Sequence, residues 1–225
     1  MKYLIANWKA NKNIATAKEW LAQISFSANF SPSSTEIIIA PPYSLLPVLA
    51  EEIAKRQLPI KLAVQDLSPF PAGAYTGEVS AVNLQGLNIQ YAILGHSERR
   101  RYFAESDQLI ANKVAQALEN SIKPILCLDD DYIVSQAAAL EKKYLSQIIA
   151  AYENRSAIGT GRNQPLETVR EYRELIRQAF GSIPVLYGGS VRSDNVIDYW
   201  QELDGVLIGG ASLDARQFQQ ILQRI

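Results

Sequence analysis

Eight short runs in this chain are apolar on both alternations, and that feature limits the fold more than any other. They cover residues 3–7, 36–40, 61–65, 91–95, 124–128, 148–152, 183–187 and 205–208. A strand with one wet face alternates apolar and polar side chains. A strand covered on both faces does not, as in Ile37-Ile38-Ile39-Ala40. Such strands belong to a parallel sheet clothed in helices. Amphipathic stretches separate them, at 16–24, 107–118, 132–145, 166–180, 195–201 and 215–224. Asp107 is placed to cap the second, and Pro165 precedes the fourth where a first helical turn tolerates it. The connection through 68–77 carries Pro and Gly and reads as a long functional loop. Eight strands alternating with helices predict an α/β fold, a closed (β/α)8 barrel forming a single domain over residues 1–225. An open doubly wound sheet is the competing arrangement.

Composition removes whole classes of function. The chain carries 22 Lys+Arg and 23 Asp+Glu, so it has no general field for nucleic acid or an anionic membrane. It has one cysteine, Cys127, and one histidine, His96. That excludes an intrachain disulfide, a cysteine-based zinc site and a histidine-pair metal site. Any catalytic imidazole has to be His96. No stretch reaches the ~20 apolar residues of a membrane helix, and the apolar start is too short for a signal peptide. The expectation is a cytoplasmic protein with no metal and no cofactor.

In a barrel, chemistry gathers just beyond the C-terminal ends of the strands. Asn7 ends the first run and Lys9 follows it, His96 and Glu98 follow the fourth, and Glu153 follows the sixth. Gly188-Gly189-Ser190 follows the seventh and Gly209-Gly210 the eighth, with Gly159-Thr160-Gly161 between. A glutamate at the end of an apolar strand is partly desolvated, which makes it a stronger base; taken alone, a glutamate there is more often a solvated rim charge. His96 stands where a helical turn could open at Ser97, and a helix N-terminus favours a neutral imidazole; taken alone, it is equally a structural histidine with both nitrogens satisfied. Lys9 can stabilise developing negative charge. Glycines after the seventh and eighth strands let backbone N–H groups approach a phosphate, although glycines also simply make turns. Arg99-Arg100-Arg101 is too short, and too closely flanked by Glu98 and Glu105, for a nucleic-acid patch.

Taken together, these segments resemble the triosephosphate isomerase family from end to end. The segments are Asn7-Trp8-Lys9-Ala10-Asn11, Gly73-Ala74-Tyr75-Thr76-Gly77-Glu78, Gly95-His96-Ser97-Glu98-Arg99-Arg100, Tyr152-Glu153 with Gly159-Thr160-Gly161, Tyr187-Gly188-Gly189-Ser190-Val191 and Asp204-Gly205 through Leu213. The resemblance implies the TIM barrel and interconversion of dihydroxyacetone phosphate and glyceraldehyde 3-phosphate, a step of glycolysis and gluconeogenesis. It implies Glu153 as the base and His96 as a neutral electrophile, with Lys9 and Asn7 on the same oxygens. Glu98 supports Lys9 and His96, and Tyr187 latches a lid. Gly159, Ser190, Gly209 and Gly210 hold the phosphate. Thr76 reaches a partner subunit and Glu78 pairs with Arg99 across the interface, which implies a homodimer. The short interval from His96 to Glu153 is shared with relatives that form tetramers, so a tetramer is the alternative.

Two hinges depart from the family pattern. After Glu153 comes Asn154-Arg155-Ser156 where Pro-Val-Trp is usual, and Arg162-Asn163-Gln164 stands in place of Lys-Thr-Ala. After the fifth strand, Cys-x-Gly-Glu becomes Cys127-Leu128-Asp129-Asp130. Losing a hinge proline adds freedom to the open chain. The expectation is a slower enzyme; the alternative is a low-activity or non-catalytic phosphate-binding barrel.

Overall fold

The computed structural model describes residues 1–27, 30–154 and 163–225. Among these residues eight strands, β1 (Lys2–Asn7), β2 (Thr35–Ala40), β3 (Ile60–Val64), β4 (Ile89–Leu94), β5 (Lys123–Leu128), β6 (Ile149–Tyr152), β7 (Val185–Tyr187) and β8 (Gly205–Ile208), pair in parallel in chain order and close on themselves. Closure is made by β1 against β8, from Tyr3 opposite Gly205 to Ala6 opposite Ile208. Each strand lies within two residues of its expected place. The open sheet is thereby ruled out.

Closure sorts the apolar runs into two cores. Tyr3 and Ile5, Tyr91 and Ile93, Ile125 and Cys127, Ile149 and Ala151, and Leu186 and Leu207 fill the barrel interior. Their neighbours, such as Leu4 and Ala6 or Leu126 and Leu128, face outward under the helices. This is why the runs read as apolar on both alternations. Gly205 is required where it stands. It has φ +149° and lies against the backbone of Tyr3, with no room for a Cβ. No helix of the described residues is long and apolar enough to cross a membrane.

Among the described residues eight helices lie outside: α1 (Ile14–Gln23), α2 (Leu46–Lys55), α3 (Ser97–Tyr102), α4 (Asp107–Glu119), α5 (Ile133–Ala139), α6 (Leu166–Phe180), α7 (Val196–Glu202) and α8 (Ala215–Leu222). Three local expectations are corrected. Ser106, not Asp107, caps α4 by accepting the Leu109 N–H at 3.2 Å, and Asp107 instead binds Arg100 at 2.6 Å. The expected single helix over 132–145 stops at Ala139. Leu140 turns extended, a 3-10 segment spans Lys142–Gln147, and buried Tyr144 reaches Glu119 at 2.9 Å. The chain has to return to the barrel floor to start β6, and a straight helix would overshoot it. The third is α2, which the sequence reading did not anticipate. Pro47 opens its first turn, while Leu46 and Leu49 are buried. Between β3 and β4 the structure has a 3-10 turn at Ala81–Leu84 and no longer helix, so the 68–77 connection is irregular, as expected.

Candidate active site

The inward parity of the strands runs on past their ends. Tyr3 and Ile5 point into the barrel, and Asn7 is the next inward position. Ile149 and Ala151 point in, and Glu153 follows; Leu186 is followed by Gly188 and Leu207 by Gly209. Side chains far apart in sequence therefore meet at one mouth.

Lys9 sits there in a left-handed conformation, φ 52°. A non-glycine residue in that region costs of order 1–3 kcal/mol and persists only where its surroundings impose it. The Asn7 Oδ1 accepts the Lys9 N–H at 3.0 Å, and the Gln65 Nε2 donates to the Lys9 carbonyl at 2.9 Å and to that of Ala40 at 2.7 Å. The Lys9 Nζ reaches the Glu98 Oε1 at 2.6 Å, and its stem lies 3.5 Å from where a Cβ on Gly209 would be. Gln65 is a site residue to which sequence reasoning gave no role. The available signal was its place directly after β3, next to Asp66, where a barrel strand ends at the mouth.

His96 is the N-cap of α3. Its Nδ1 accepts the Glu98 backbone N–H at 3.2 Å, an arrangement that assigns the hydrogen of a neutral ring to Nε2. The Glu98 carboxylate stands 3.7 Å from Nδ1. On the other side, Nε2 faces the Glu153 Oε2 at 3.5 Å.

Glu153 is 2% exposed, its backbone N–H is bound to Leu128 at 2.8 Å, and its Oε2 has no hydrogen-bond partner among the described residues. Burial pushes its carboxyl above the usual carboxylate range; the nearby His96 and Lys9 pull the other way and do not cancel it. Gly188 makes room for this side chain, since a Cβ there would fall 2.6 Å from the Glu153 Cγ. Cys127 lies in the barrel interior just beneath, fully packed, with its thiol pushed up by burial and so a poor nucleophile.

Beside this trio a cleft of about 360 Å³ is lined by Asn7, Lys9, Gly188, Ser190, Gly209 and Gly210 among others, and Ser190 holds φ 54°. Among the described residues no acidic side chain lines it. A larger cavity of about 700 Å³ opens at the start of β2 and β3, on the opposite face, away from this convergence.

Tyr187 lies at the barrel rim, where its hydroxyl accepts the Gln164 N–H at 2.8 Å. Gly159 falls outside the described residues, as do Arg155, Ser156 and Arg162 of the altered hinges. Thr76 and Glu78 are exposed on the long loop, beside stacked Phe70 and Tyr75. Arg99 is held within its own chain by Asp66 at 2.7 Å and Glu105 at 2.6 Å.

Comparison with known proteins agrees with this geometry. The family profile described as triosephosphate isomerase matches residues 2–225. A triosephosphate isomerase of Synechococcus sp. (strain JA-2-3B'a(2-13)) is 37% identical, over 97% of this chain and 95% of that protein. Those of Mesomycoplasma hyopneumoniae (strain 232), 35% identical over 98% of both chains, and of Thermus thermophilus, 37% identical over 96% of both, are similar in the same way. A closed eight-stranded barrel with these residues at its mouth, matched over its whole length, belongs to the triosephosphate isomerase family.

Proposed function

We propose that this chain interconverts dihydroxyacetone phosphate and D-glyceraldehyde 3-phosphate, with Glu153 as the group that moves the proton. The observation that carries the reading is the Glu153 Oε2, buried, without a hydrogen-bond partner among the described residues and 3.5 Å from the His96 Nε2. A carboxylate kept dry in this way is a stronger base than one in water.

Glu153 takes a proton from the carbon next to the carbonyl, and the electron pair moves onto the carbonyl oxygen to give an enediolate. His96, donating through Nε2, hydrogen-bonds that oxygen. The Lys9 ammonium stabilises the negative charge, and Asn7 both holds the Lys9 backbone and lies at the same mouth. The proton on the second enediolate oxygen passes to the former carbonyl oxygen, and Glu153 returns its proton to the neighbouring carbon, which leaves the carbonyl on the other carbon and completes the exchange. Ser190, Gly209 and Gly210 offer backbone N–H groups to the phosphate, with Gly159 as a further contact. Glu98 fixes Lys9 by ion pairing and orients His96 through its backbone N–H.

The exposed Phe70, Tyr75, Tyr102 and Phe103 favour a homodimer whose second copy covers them. A cleft of about 310 Å³ beside Lys9 and His96, bordered by Tyr43, Gln65 and Arg99, has room for the second copy's Thr76. Glu78 then meets an Arg99 already stiffened by Asp66 and Glu105. A tetramer is the second arrangement, and exposed Val134 on the trimmed α5 favours it. The balanced charge supports an enzyme that binds neither nucleic acid nor an anionic membrane, and a cytoplasmic location goes with this reading.

A coupled isomerase assay on the native chain and Glu153→Gln tests the reading. The expected loss in kcat is about 10³-fold, within the range for a general base. Equal, near-zero rates for the two proteins would overturn it.

A further inference from the structure

Both altered hinges carry an asparagine, and each asparagine is bonded to a fixed group. The Asn154 Nδ2 donates to the Asp130 Oδ2 at 3.2 Å, with the Tyr152 hydroxyl at 3.5 Å. Tyr152 donates to the other Asp130 oxygen at 2.8 Å, and its ring stacks on Tyr172 of α6 at 4.5 Å. At the far end, the Asn163 Nδ2 donates to the Tyr199 hydroxyl at 2.6 Å, which in turn donates to the Gln164 carbonyl at 2.6 Å. Tyr199 is itself stacked on Tyr187 at 4.2 Å.

From this arrangement we infer that Asn154 is a positioning residue for Glu153, acting through Asp130. The inference rests on the isomerase reading and deepens it. Glu153 leads directly into Asn154, and its own backbone N–H is tied to Leu128 at the end of β5. Asp130 lies two residues beyond Leu128. The Asn154–Asp130 bond thus ties the chain to the same loop on the far side of Glu153. With both flanks anchored to the β5 end, the carboxylate has one backbone frame from which to face His96. A proline at 154 would restrict the chain through its own ring. Here a side-chain amide with a paired carboxylate supplies the restriction from outside the backbone. An error of about 1 Å in the base is costly to proton transfer, so the anchor acts on kcat more than on substrate binding.

A donor–acceptor exchange tests this. Asn154→Asp is isosteric but sets two carboxylates against each other. Its kcat is expected to fall at least ten-fold, with KM within two-fold of native. Adding Asp130→Asn restores the bond with its polarity reversed and keeps an acceptor for Tyr152; kcat is expected to return to within about three-fold of native. Hydrogen exchange of the peptide spanning 150–165, read by mass spectrometry, is expected to quicken in Asn154→Asp and recover in the exchanged pair, whatever the activity. An Asn154→Asp kcat within two-fold of native, or no recovery of kcat and exchange in the pair, would overturn the inference. An inactive native protein overturns the isomerase reading instead, and the exchange measurement then decides the anchor by itself.

Discussion

Gly188→Ala isolates the geometry on which the proposed chemistry depends. A Cβ at this position would stand 2.6 Å from the Glu153 Cγ and 2.9 Å from its Oε1. Carbon atoms in good contact sit ~3.5–4.0 Å apart, so the side chain has to retreat by about 1 Å. The atoms that must yield belong to the side chain of Glu153, not to backbone, so the barrel can stay folded around the change. The retreat carries Oε2 away from its place 3.5 Å from the His96 Nε2. A displacement of that size in a reacting group costs ~10²-fold in rate. Initial rates in the coupled isomerase assay, with circular dichroism melting as the control, separate the two effects. The expected result is a kcat about 10²-fold below native and a Tm within about 4 °C, which is roughly 1 kcal/mol for a chain of this size. A kcat within three-fold of native would show that Glu153 does not act from the position described. A Tm lowered by much more would show that Gly188 serves the fold first.

The same carboxylate makes a stability prediction. Burial raises the folded-state pKa of Glu153 above its unfolded value, so the ionised group opposes folding at neutral pH and the opposition fades as pH falls through the raised value. Glu153→Gln is expected to melt a few degrees higher than native at pH 7, with the gap closing toward pH 4; a lower Tm at pH 7 would contradict the desolvation account. Lys113, 2% exposed, is bound to Asp66 at 2.6 Å and to Glu105, so Lys113→Met leaves a half-buried and a buried carboxylate to Arg99 alone. That is expected to cost about 3 kcal/mol in urea unfolding, and a loss below 1 kcal/mol would show the cluster to be well hydrated. Tyr75→Asp places a charge on the exposed Phe70–Tyr75 stack; sedimentation is expected to show a shift to monomer, and an unchanged sedimentation coefficient would remove this loop from the interface.

Much of this was legible because periodicity and burial are coupled. A run apolar on both alternations must be covered on both faces, and eight of them admit few arrangements. Asn7, Lys9, His96 and Glu153 could be picked out because each stands at or just beyond the C-terminal end of a strand run, where a barrel gathers its chemistry. The local errors share a cause. Ser106 and Asp107 are both competent caps, and only the position of Arg100 decides that Asp107 is used elsewhere. The 132–145 stretch has good helix formers throughout, yet the return to β6 breaks it after Ala139. The missing prolyl hinge reads as pure loss in the sequence; the structure sets an Asn154–Asp130 bond in its place.

By itself, then, the sequence determined the barrel, the strand places and most of the side chains at its mouth, Gln65 apart. These follow from one-dimensional patterns that burial enforces residue by residue. Only the tertiary structure decided the distances: Glu153 facing His96 at 3.5 Å, Lys9 held at φ 52° by Asn7 and Gln65, and Arg99 drawn to Asp66 and Glu105. Each joins groups dozens of residues apart or chooses among several eligible partners. Such choices are made when the closed sheet brings the ends of its strands together, because hydrogen bonding and desolvation act over a few ångströms and depend on which neighbours have arrived.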